Sequence, residues 1–525
     1  MEENISRTND LEQCFNELKN LSLTYKLGPA PSTSGDEIRN PLHKQFELIL
    51  SKIEVVLNNV VKNSEEYLRT ICMKSSILYE KAKILLSENL LAEGNDMLED
   101  SLKVISDYSE HPQVRFLYLR VMNHWTYVLS RIGHLEKAKD ALTQIIVDEN
   151  KQPEVFSTDD LFLNTKKDRQ TSLLKLNRLT INNMQLLAWI YGKLGDTDAH
   201  LKAQHDILQR QLEFNEDVLK WAESCYKLSG MFIGNGDWEN ARYHLSAAGS
   251  VLKPLEISFV PVQDLHAVQA DIARTWIYYG LQLFQTSTEI DWNMNSEPDG
   301  VVQDGDKGIE LAPAVAIPKQ TTLHTFKDLP VEVQESVPTV IIRTLSHAKA
   351  LFEATYKWIK RARLYYSLRD YPLQFVNLGL DLSELYRFWS AYETDIDSQY
   401  MVQKRRYDAL ETLTAILKDV RPNCYAALLI ELTKEIIEVQ VEMMGLNLKK
   451  MFTPTDVPQK HINEDLTKRQ MSAFASIHSK LEHASSYFET NSQLGETARL
   501  EKESELSESS EISKKSENDN ENCIK

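Results

Sequence analysis

The stretch WAESCYKLSGMFIGNGDWENARYHLSAAGS, residues 221–250, decides the fold that the sequence predicts. Its apolar residues recur every three or four positions on both sides of a short break, which predicts two amphipathic helices joined by a tight turn. Small residues at regular positions let the two helices approach, and large ones fill the space between successive pairs. This pattern is typical of a tetratricopeptide (TPR) repeat, a helical hairpin of about 34 residues. The positions expected to be buried are Leu228, Ser229, Phe232, Trp238, Ala241, Leu245 and Ala248.

Three further segments carry the same pattern. Residues 122–146 match nearly as well, residues 184–208 match in the first helix only, and residues 78–102 match more weakly. The turns are expected at Asn89, Gly133, Gly195 and Gly236, 41 to 62 residues apart. The sequence therefore predicts an all-α fold, an irregular TPR-like α-solenoid of antiparallel helix pairs that winds into a right-handed superhelix. A generic helical bundle that happens to match is the alternative.

Composition supports long helices. Gly 17 and Pro 16 together make about 6% of the 525 residues, against an average near 12%. The net charge of −18 argues against nucleic acid as a partner, because nucleic-acid-binding proteins usually carry a basic surface. Five widely spaced cysteines without a CxxC pair fit a reducing compartment. Without a signal-like N-terminus or a long apolar run, we expect a cytoplasmic protein with no membrane insertion.

Breaks in the helical pattern predict the division of the chain. We expect helix-period sequence to stop near 284, to resume near 338, and to give way to an acidic, serine-rich end. That end cannot bury enough apolar area to offset the entropy of ordering, so we expect it to be disordered. The predicted segments are an N-terminal helix and linker (1–44), a TPR-like half (45–284), a linker (285–337), a C-terminal helical half (338–490) and a disordered tail (491–525).

A search for chemistry finds no nucleotide-binding, hydrolase or zinc-protease motif, so we expect no enzyme activity, no cofactor and no metal. His200 and His205 lie five residues apart without a third ligand in register. The cluster Lys404, Arg405 and Arg406 has three interpretations: a phosphate- or acid-binding site, a solvated helix face, or pairing with the upstream carboxylates Glu393, Asp395 and Asp397. Either way, the sequence points to a surface rather than to a catalytic site.

In a stack of helical hairpins, the first helix of each pair lines the inner side of the array and forms an extended binding surface. Tyr and Trp among amides and charges are the residue types that dominate protein-binding hot spots. Trp189 and Tyr226 have a second interpretation, packing against neighbouring repeats. The candidate partner-binding residues from the three best repeats are Asn123, Tyr127, Arg131, Asn182, Gln185, Trp189, Lys193, Glu223, Tyr226 and Lys227.

Several segments resemble the kinesin-binding protein family, also called the KIF-binding protein family. They are SDYSEHP (106–112), ILQRQLEFN (207–215), WAESCYKLSGMF (221–232), WENARYHLSAA (238–248) and FWSAYETDIDSQYMVQKRRYDALETL (388–413). The resemblance implies a cytoskeleton-associated protein that binds kinesin motor domains and keeps them off microtubules. We expect the chain to be a monomer. Arg210 and Gln211 match the family pattern and join the candidate contacts.

The resemblance also defines two departures. The family pattern has Gln where this chain has Trp189, and family members continue with further helices beyond the point where this chain turns acidic. An acidic chain would suit the basic side of a motor that meets acidic tubulin. Two rival hypotheses stay open at this point: a general TPR-type scaffold for another protein complex, and an enzyme with an unrecognised helical site.

Overall fold

The computed structural model describes residues 2–27, 35–147, 156–163, 169–214, 217–257, 264–295, 322–420, 426–452 and 466–482. Every regular element within these ranges is helical. The chain divides into two compact units. The N-terminal unit comprises residues 1–235 and 322–329, and the C-terminal unit comprises residues 236–321 and 330–525. No helix in the part that the structure describes is long and apolar enough to cross a membrane.

The N-terminal unit is built from ten α-helices and one short 3₁₀ helix, Ser106–Tyr108, within its described residues. The α-helices are α1 Glu2–Leu27, α2 Gly35–Asn59, α3 Glu65–Ser87, α4 Leu91–Ile105, α5 Pro112–Ile132, α6 Leu135–Val147, α7 Thr158–Phe162, α8 Arg169–Leu194, α9 Thr197–Glu213 and α10 Val218–Gly234. The hairpins are α3 with α4, α5 with α6, and α8 with α9. Each second helix also packs on the next first helix, and the first helices α3, α5 and α8 contact one another in order. This is the contact pattern of a stacked helical-hairpin array.

The helices of each hairpin run antiparallel. The hydroxyls of Ser75 in α3 and Ser101 in α4 lie 2.8 Å apart and are both fully buried, although the two residues are on opposite sides of the turn at Asn89 and each more than ten residues from it. In the next hairpin, the Arg115 guanidinium at the start of α5 donates to the Ile145 carbonyl near the end of α6 at 3.3 Å. The prediction of an all-α fold made of antiparallel helix pairs is therefore confirmed. The right-handed superhelix stays a prediction.

All four expected turn residues adopt a left-handed backbone conformation. Their φ angles are 63° at Asn89, 100° at Gly133, 78° at Gly195 and 73° at Gly236. Glycine and asparagine tolerate this region, which closes a helix and reverses the chain. The turn chemistry read from the sequence thus marks the ends of α3, α5, α8 and α10.

The short helix α7 accounts for the longest interval between turns. It lies between α6 and α8 in the chain and is capped by Ser157, whose hydroxyl accepts from the Asp160 backbone N–H. Phe162 of α7 is buried against Phe15 of α1, with ring centroids 4.8 Å apart. In α1, Leu11, Cys14, Phe15 and Leu18 are buried.

The C-terminal unit contains seven helices within its described residues. They are α11 Trp238–Ile257, α12 Leu265–Asn295, α13 Leu345–Tyr365, α14 Pro372–Tyr392, α15 Ile396–Val420, α16 Ala426–Phe452 and α17 at 466–482. Each of the helices α11 to α15 packs on the helix that follows it. In α12 and α13, Trp276 and Trp358 stack with ring centroids 5.5 Å apart and planes 4° apart.

The predicted buried positions of 221–250 are buried in both units. Leu228, Ser229 and Phe232 of α10 lie inside the N-terminal unit, and Trp238, Ala241, Leu245 and Ala248 of α11 lie inside the C-terminal unit, each at most 3% exposed. The division at 235 and 236 therefore falls at the turn of the best-matching repeat, within the segment 45–284 that the sequence treats as one half.

Two helix ends differ from the sequence expectation. Helix α12 continues to Asn295, beyond the predicted end at 284. Residues 285–295 contain no glycine or proline, so no helix breaker ends the helix earlier. Helix α13 begins at Leu345 rather than 338, where the Thr344 hydroxyl accepts from the His347 N–H. The segment boundaries otherwise stay predictions, and the predicted tail 491–525 lies outside the described residues.

A candidate partner-binding face

Ten of the candidate residues belong to the first helices α5, α8 and α10 of the N-terminal unit, and the other two, Arg210 and Gln211, belong to α9. Helices α5 and α8 pack directly together, and α10 packs on α9. We call the solvent-facing side of α5 and α8, with the adjoining residues of α9 and α10, the first-helix face. The exposed candidates are Tyr127, Arg131, Asn182, Gln185, Trp189, Lys193 and Lys227. The half-buried candidates are Asn123, Arg210, Gln211, Glu223 and Tyr226.

Two aromatic side chains project from this face. Trp189 is 45% exposed and Tyr127 is 46% exposed, although both belong to well-packed helices. The Lys193 ammonium lies over the Trp189 ring at 5.5 Å, and the His124 ring lies 6.4 Å from the Tyr127 ring. Since large exposed aromatic rings held by neighbours lose little freedom on binding, these two are the strongest anchor candidates on the face.

Polar side-chain contacts connect α5 to α8 and α8 to α9. The Asn123 side chain donates to Asn183 at 2.7 Å, and Asn183 is fully buried. The Arg210 guanidinium donates to the Asn177 side chain at 2.8 Å and lies 5.6 Å from the Phe214 ring. These contacts connect the end of α9 to α8. They also hold the Arg210 side chain against the protein surface.

Two buried amide atoms, one in α8 and one in α9, lack a hydrogen bond within the described residues. They are the Nδ2 donor of Asn183 and the Oε1 acceptor of Gln211. A buried polar atom without a partner costs free energy. Gln211, matched by the family resemblance, therefore has hydrogen-bonding capacity that the fold leaves unused.

The charge of the face differs from the charge of the chain. Of the candidate residues, Arg131, Lys193, Arg210 and Lys227 are cationic, and Glu223 is the one carboxylate. Lys227 and Glu223 form an ion pair at 2.5 Å. The expectation that an acidic chain offers an acidic surface to a motor does not hold at these residues, because the excess negative charge lies elsewhere.

The sequence reading missed the contribution of α3. Glu80 accepts from Ser22 of α1 at 3.0 Å and pairs with Lys83, while Arg120 of α5 lies 5.1 Å from the Tyr79 ring. Burial, followed by the positive charges of Lys83 and Arg120, lowers the pKa of His124, which keeps its imidazole neutral at pH 7. The weak repeat match at 78–102 is the signal that could have drawn attention to α3.

Two other candidate sites from the sequence are the basic cluster 404–406 and the histidine pair His200 and His205. Arg406 of the basic cluster is fully buried between two glutamates, so the solvated-face interpretation fails for this residue. Lys404 pairs with Asp408 at 2.7 Å, one turn along the same helix. His200 contacts the Ala188 carbonyl through Nδ1 at 2.6 Å, which explains its place in the α8–α9 hairpin. Among the described residues, no three His, Cys, Asp or Glu side chains converge as metal ligands would.

Comparison with known proteins places this architecture in a family. The family model described as "KIF-1 binding protein C terminal" matches residues 219–506, more than half of the chain. The chain belongs to the KIF-1 binding protein family. The match covers α11 to α17 and the candidate residues of α10, whereas α5 and α8 precede it.

Several curated relatives carry the name KIF-binding protein. The Drosophila melanogaster protein is 25% identical over 349 residues, which cover 63% of this chain and 57% of that protein. The Danio rerio protein is 23% identical, covering 68% and 60%. The Homo sapiens protein is 24% identical, covering 73% and 65%. The matches thus span less than two thirds of the length of these relatives.

Among solved structures, the chain is similar to a "Circular tandem repeat protein with novel repeat topology and enhanced subunit contact surfaces". The two share 11% identity with a TM-score of 0.25, over 93% of this chain and 98% of that one. A score this low establishes no common fold.

Proposed function

We propose that this chain binds kinesin motor domains through the first-helix face and blocks their attachment to microtubules. It would act as a non-enzymatic, monomeric regulator of microtubule-based transport in the cytoplasm, associated with the cytoskeleton. The observation that carries the proposal is the pair of half-exposed rings, Trp189 and Tyr127, on adjacent helices. Family membership supplies the class of partner, since the relatives are named for binding KIF proteins.

The proposed mechanism is steric. A motor domain cannot place one surface against both tubulin and this face, so binding here removes the motor from its track. Trp189 and Tyr127 provide the apolar anchors. Because the face carries mixed charges, we assign the affinity mainly to burial of the rings and less to net charge.

Co-sedimentation tests this proposal. A fixed amount of motor domain is pelleted with microtubules while the concentration of this protein is raised. The proposal expects the motor to move from the pellet to the supernatant, with this protein beside it. If the motor stays in the pellet when this protein is saturating, the blocking mechanism is wrong.

A second candidate function is a general TPR-type scaffold for another protein complex. The mixed charge of the first-helix face favours it, because that face is not the acidic counterpart that a basic motor surface would select. A pull-down from cytosol with the full chain separates the two hypotheses. Kinesin heavy chains dominate the bound fraction in the first case and are absent in the second.

A further inference from the structure

Helix α13 carries a concentration of positive charge in an acidic chain. Residues 357–363, KWIKRAR, hold four cations and no carboxylate, and no other seven-residue window of the sequence does so. The candidate face discussed above uses none of these residues, which belong to the C-terminal unit. The function proposed above therefore leaves them unexplained.

Three of the cations point to solvent. Lys357, Lys360 and Arg361 are exposed, and Leu364, one turn further on, is 86% exposed. We call these four residues the α13 basic face. Within the described residues, neither Lys357 nor Lys360 forms an ion pair with a carboxylate. An exposed, uncompensated cation pair beside an apolar side chain is a surface suited to an acidic peptide.

Aromatic neighbours hold these cations in place. The Lys360 ammonium lies 4.2 Å from the centre of the Tyr356 ring, and the Arg361 guanidinium lies 5.4 Å from the Trp358 ring. Trp358 is itself stacked on Trp276 of α12. Cation–π contacts of this kind restrict the side chains before a ligand arrives, which lowers the entropy lost on binding.

The carboxylates around α13 leave the basic face positive. Glu353 precedes Lys357 by one turn and is exposed. Asp381 of α14 interacts electrostatically with Arg363 and Arg274. The local balance at Lys357 and Lys360 is therefore cationic, although the chain as a whole is acidic.

The chain contains an acidic segment that complements this face. Residues 501–511, EKESELSESSE, hold five carboxylates, one lysine and a leucine among serines. They follow α17, which belongs to the same unit as α13. The intervening 18 residues can extend roughly 60 Å, about six times the usual 8–10 Å between the axes of packed helices.

We propose that the α13 basic face binds this chain's own acidic, serine-rich segment 501–511. The glutamates meet Lys357, Lys360 and Arg361, and Leu506 packs on Leu364. Phosphorylation of the serines adds negative charge and acceptor oxygens, so it strengthens the contact. The proposal stands independently of motor binding, because its test contains no motor.

Fluorescence anisotropy of the full chain tests the contact. A dye is attached at Ser509→Cys after Cys424→Ser and Cys523→Ser; Cys14, Cys72 and Cys225 are buried and do not compete for label. We expect high anisotropy that falls to the value of the free labelled peptide in the K357E/K360E variant and in about 0.5 M NaCl, which screens exposed charges. Replacing the tail serines 504, 507 and 510 with glutamate should preserve the high value to higher salt.

A matched control carries the same change in net charge. Lys202→Glu with Lys220→Glu changes two exposed lysines of the N-terminal unit and should leave the anisotropy high. Carbodiimide cross-linking of the unlabelled full chain should join a glutamate of 501–511 to Lys357 or Lys360. Anisotropy that is insensitive to K357E/K360E, an equal fall in the control, or cross-links confined to other lysines would overturn the proposal. Unchanged circular dichroism shows that the variants are folded.

Discussion

The Arg406 guanidinium donates to the Glu435 carboxylate at 2.6 Å although Arg406 has no exposed surface. It also donates to Glu442 at 3.1 Å and to the Ser383 hydroxyl at 2.8 Å. Burial alone would raise the pKa of Glu435, but the hydrogen bonds from Arg406 and Ser383 lower it below its ordinary value. One arginine of α15 thus joins α14 and α16 through a charged contact.

Removal of this arginine should destabilise the C-terminal unit. Arg406→Met leaves Glu435 and Glu442 without their cation, and such a change typically costs about 3 kcal/mol. Chemical denaturation of the full chain, followed by circular dichroism, measures the loss. Lys404→Met is the matched control on the same helix, because its exposed pair with Asp408 is worth less than about 1 kcal/mol. Equal losses for the two variants would contradict the assigned role.

Gly280 should not tolerate a side chain. A methyl group at Gly280 of α12 would lie 2.0 Å from the Thr355 hydroxyl oxygen of α13. Thr355 is buried and donates to the Leu351 carbonyl at 2.8 Å, so it cannot move without cost. Gly280→Ala should therefore destabilise the protein by about 1–3 kcal/mol.

Gly230→Ala provides the control for this experiment. Gly230 lies within α10 with open space beside it, so alanine should stabilise that helix by about 0.5–1 kcal/mol. Thr355→Ala should restore part of the stability lost in Gly280→Ala. If Gly280→Ala unfolds at the same denaturant concentration as the natural chain, the close packing of α12 and α13 is wrong.

The N-terminal unit should lose stability in mild acid through His205. Its ring is buried against Phe326, with centroids 4.5 Å apart, and lies 5.4 Å from the His324 ring. Burial, then the charge of His324, lowers the pKa of His205 to about 4, although the Thr325 backbone raises it slightly. Asp206, Lys202 and Lys327 are the other charged groups at this contact.

The direction of the pH effect follows from that lowered pKa. The unfolded chain takes up the proton near pH 6.5, before the folded chain does, so stability falls as the pH drops from about 6.5 towards 4. The urea midpoint of the N-terminal unit should fall between pH 7.5 and pH 5, and His205→Gln should reduce that fall. His347→Gln, at an exposed histidine, should leave it unchanged. A His205→Gln protein with the full pH dependence would exclude this cause.

The helices and turns could be predicted from residues whose conformation and burial depend on the local sequence. Asn89 and Gly236 mark turns because their backbone conformation is available to few residues. Leu228 and Ala241 are buried because helical spacing puts them on one side of a helix. These features depend on residues that are close in the sequence, so one sequence is enough to predict them.

The candidate site was predictable only in part, because it depends on which helices meet. Helical spacing correctly placed Tyr127 and Trp189 on the exposed side of their helices. It could not show that Asn123 of α5 contacts Asn183 of α8, or that Arg406 of α15 contacts Glu435 of α16. The sequence of a basic cluster such as 404–406 does not show whether one of its side chains is exposed to solvent or buried. Only the packing of α15 against α16 distinguishes the two cases.

Equilibrium binding of a purified kinesin motor domain to the full chain tests the central claim most directly. The Trp189→Ala/Tyr127→Ala variant removes both rings of the first-helix face, and Thr143→Ala/Lys202→Ala changes exposed residues of the second helices α6 and α9. We expect the first variant to bind at least about tenfold more weakly, because truncating hot-spot aromatics typically costs 2 kcal/mol or more, while the second binds like the natural chain. Undiminished motor binding by a folded Trp189→Ala/Tyr127→Ala protein would contradict the account.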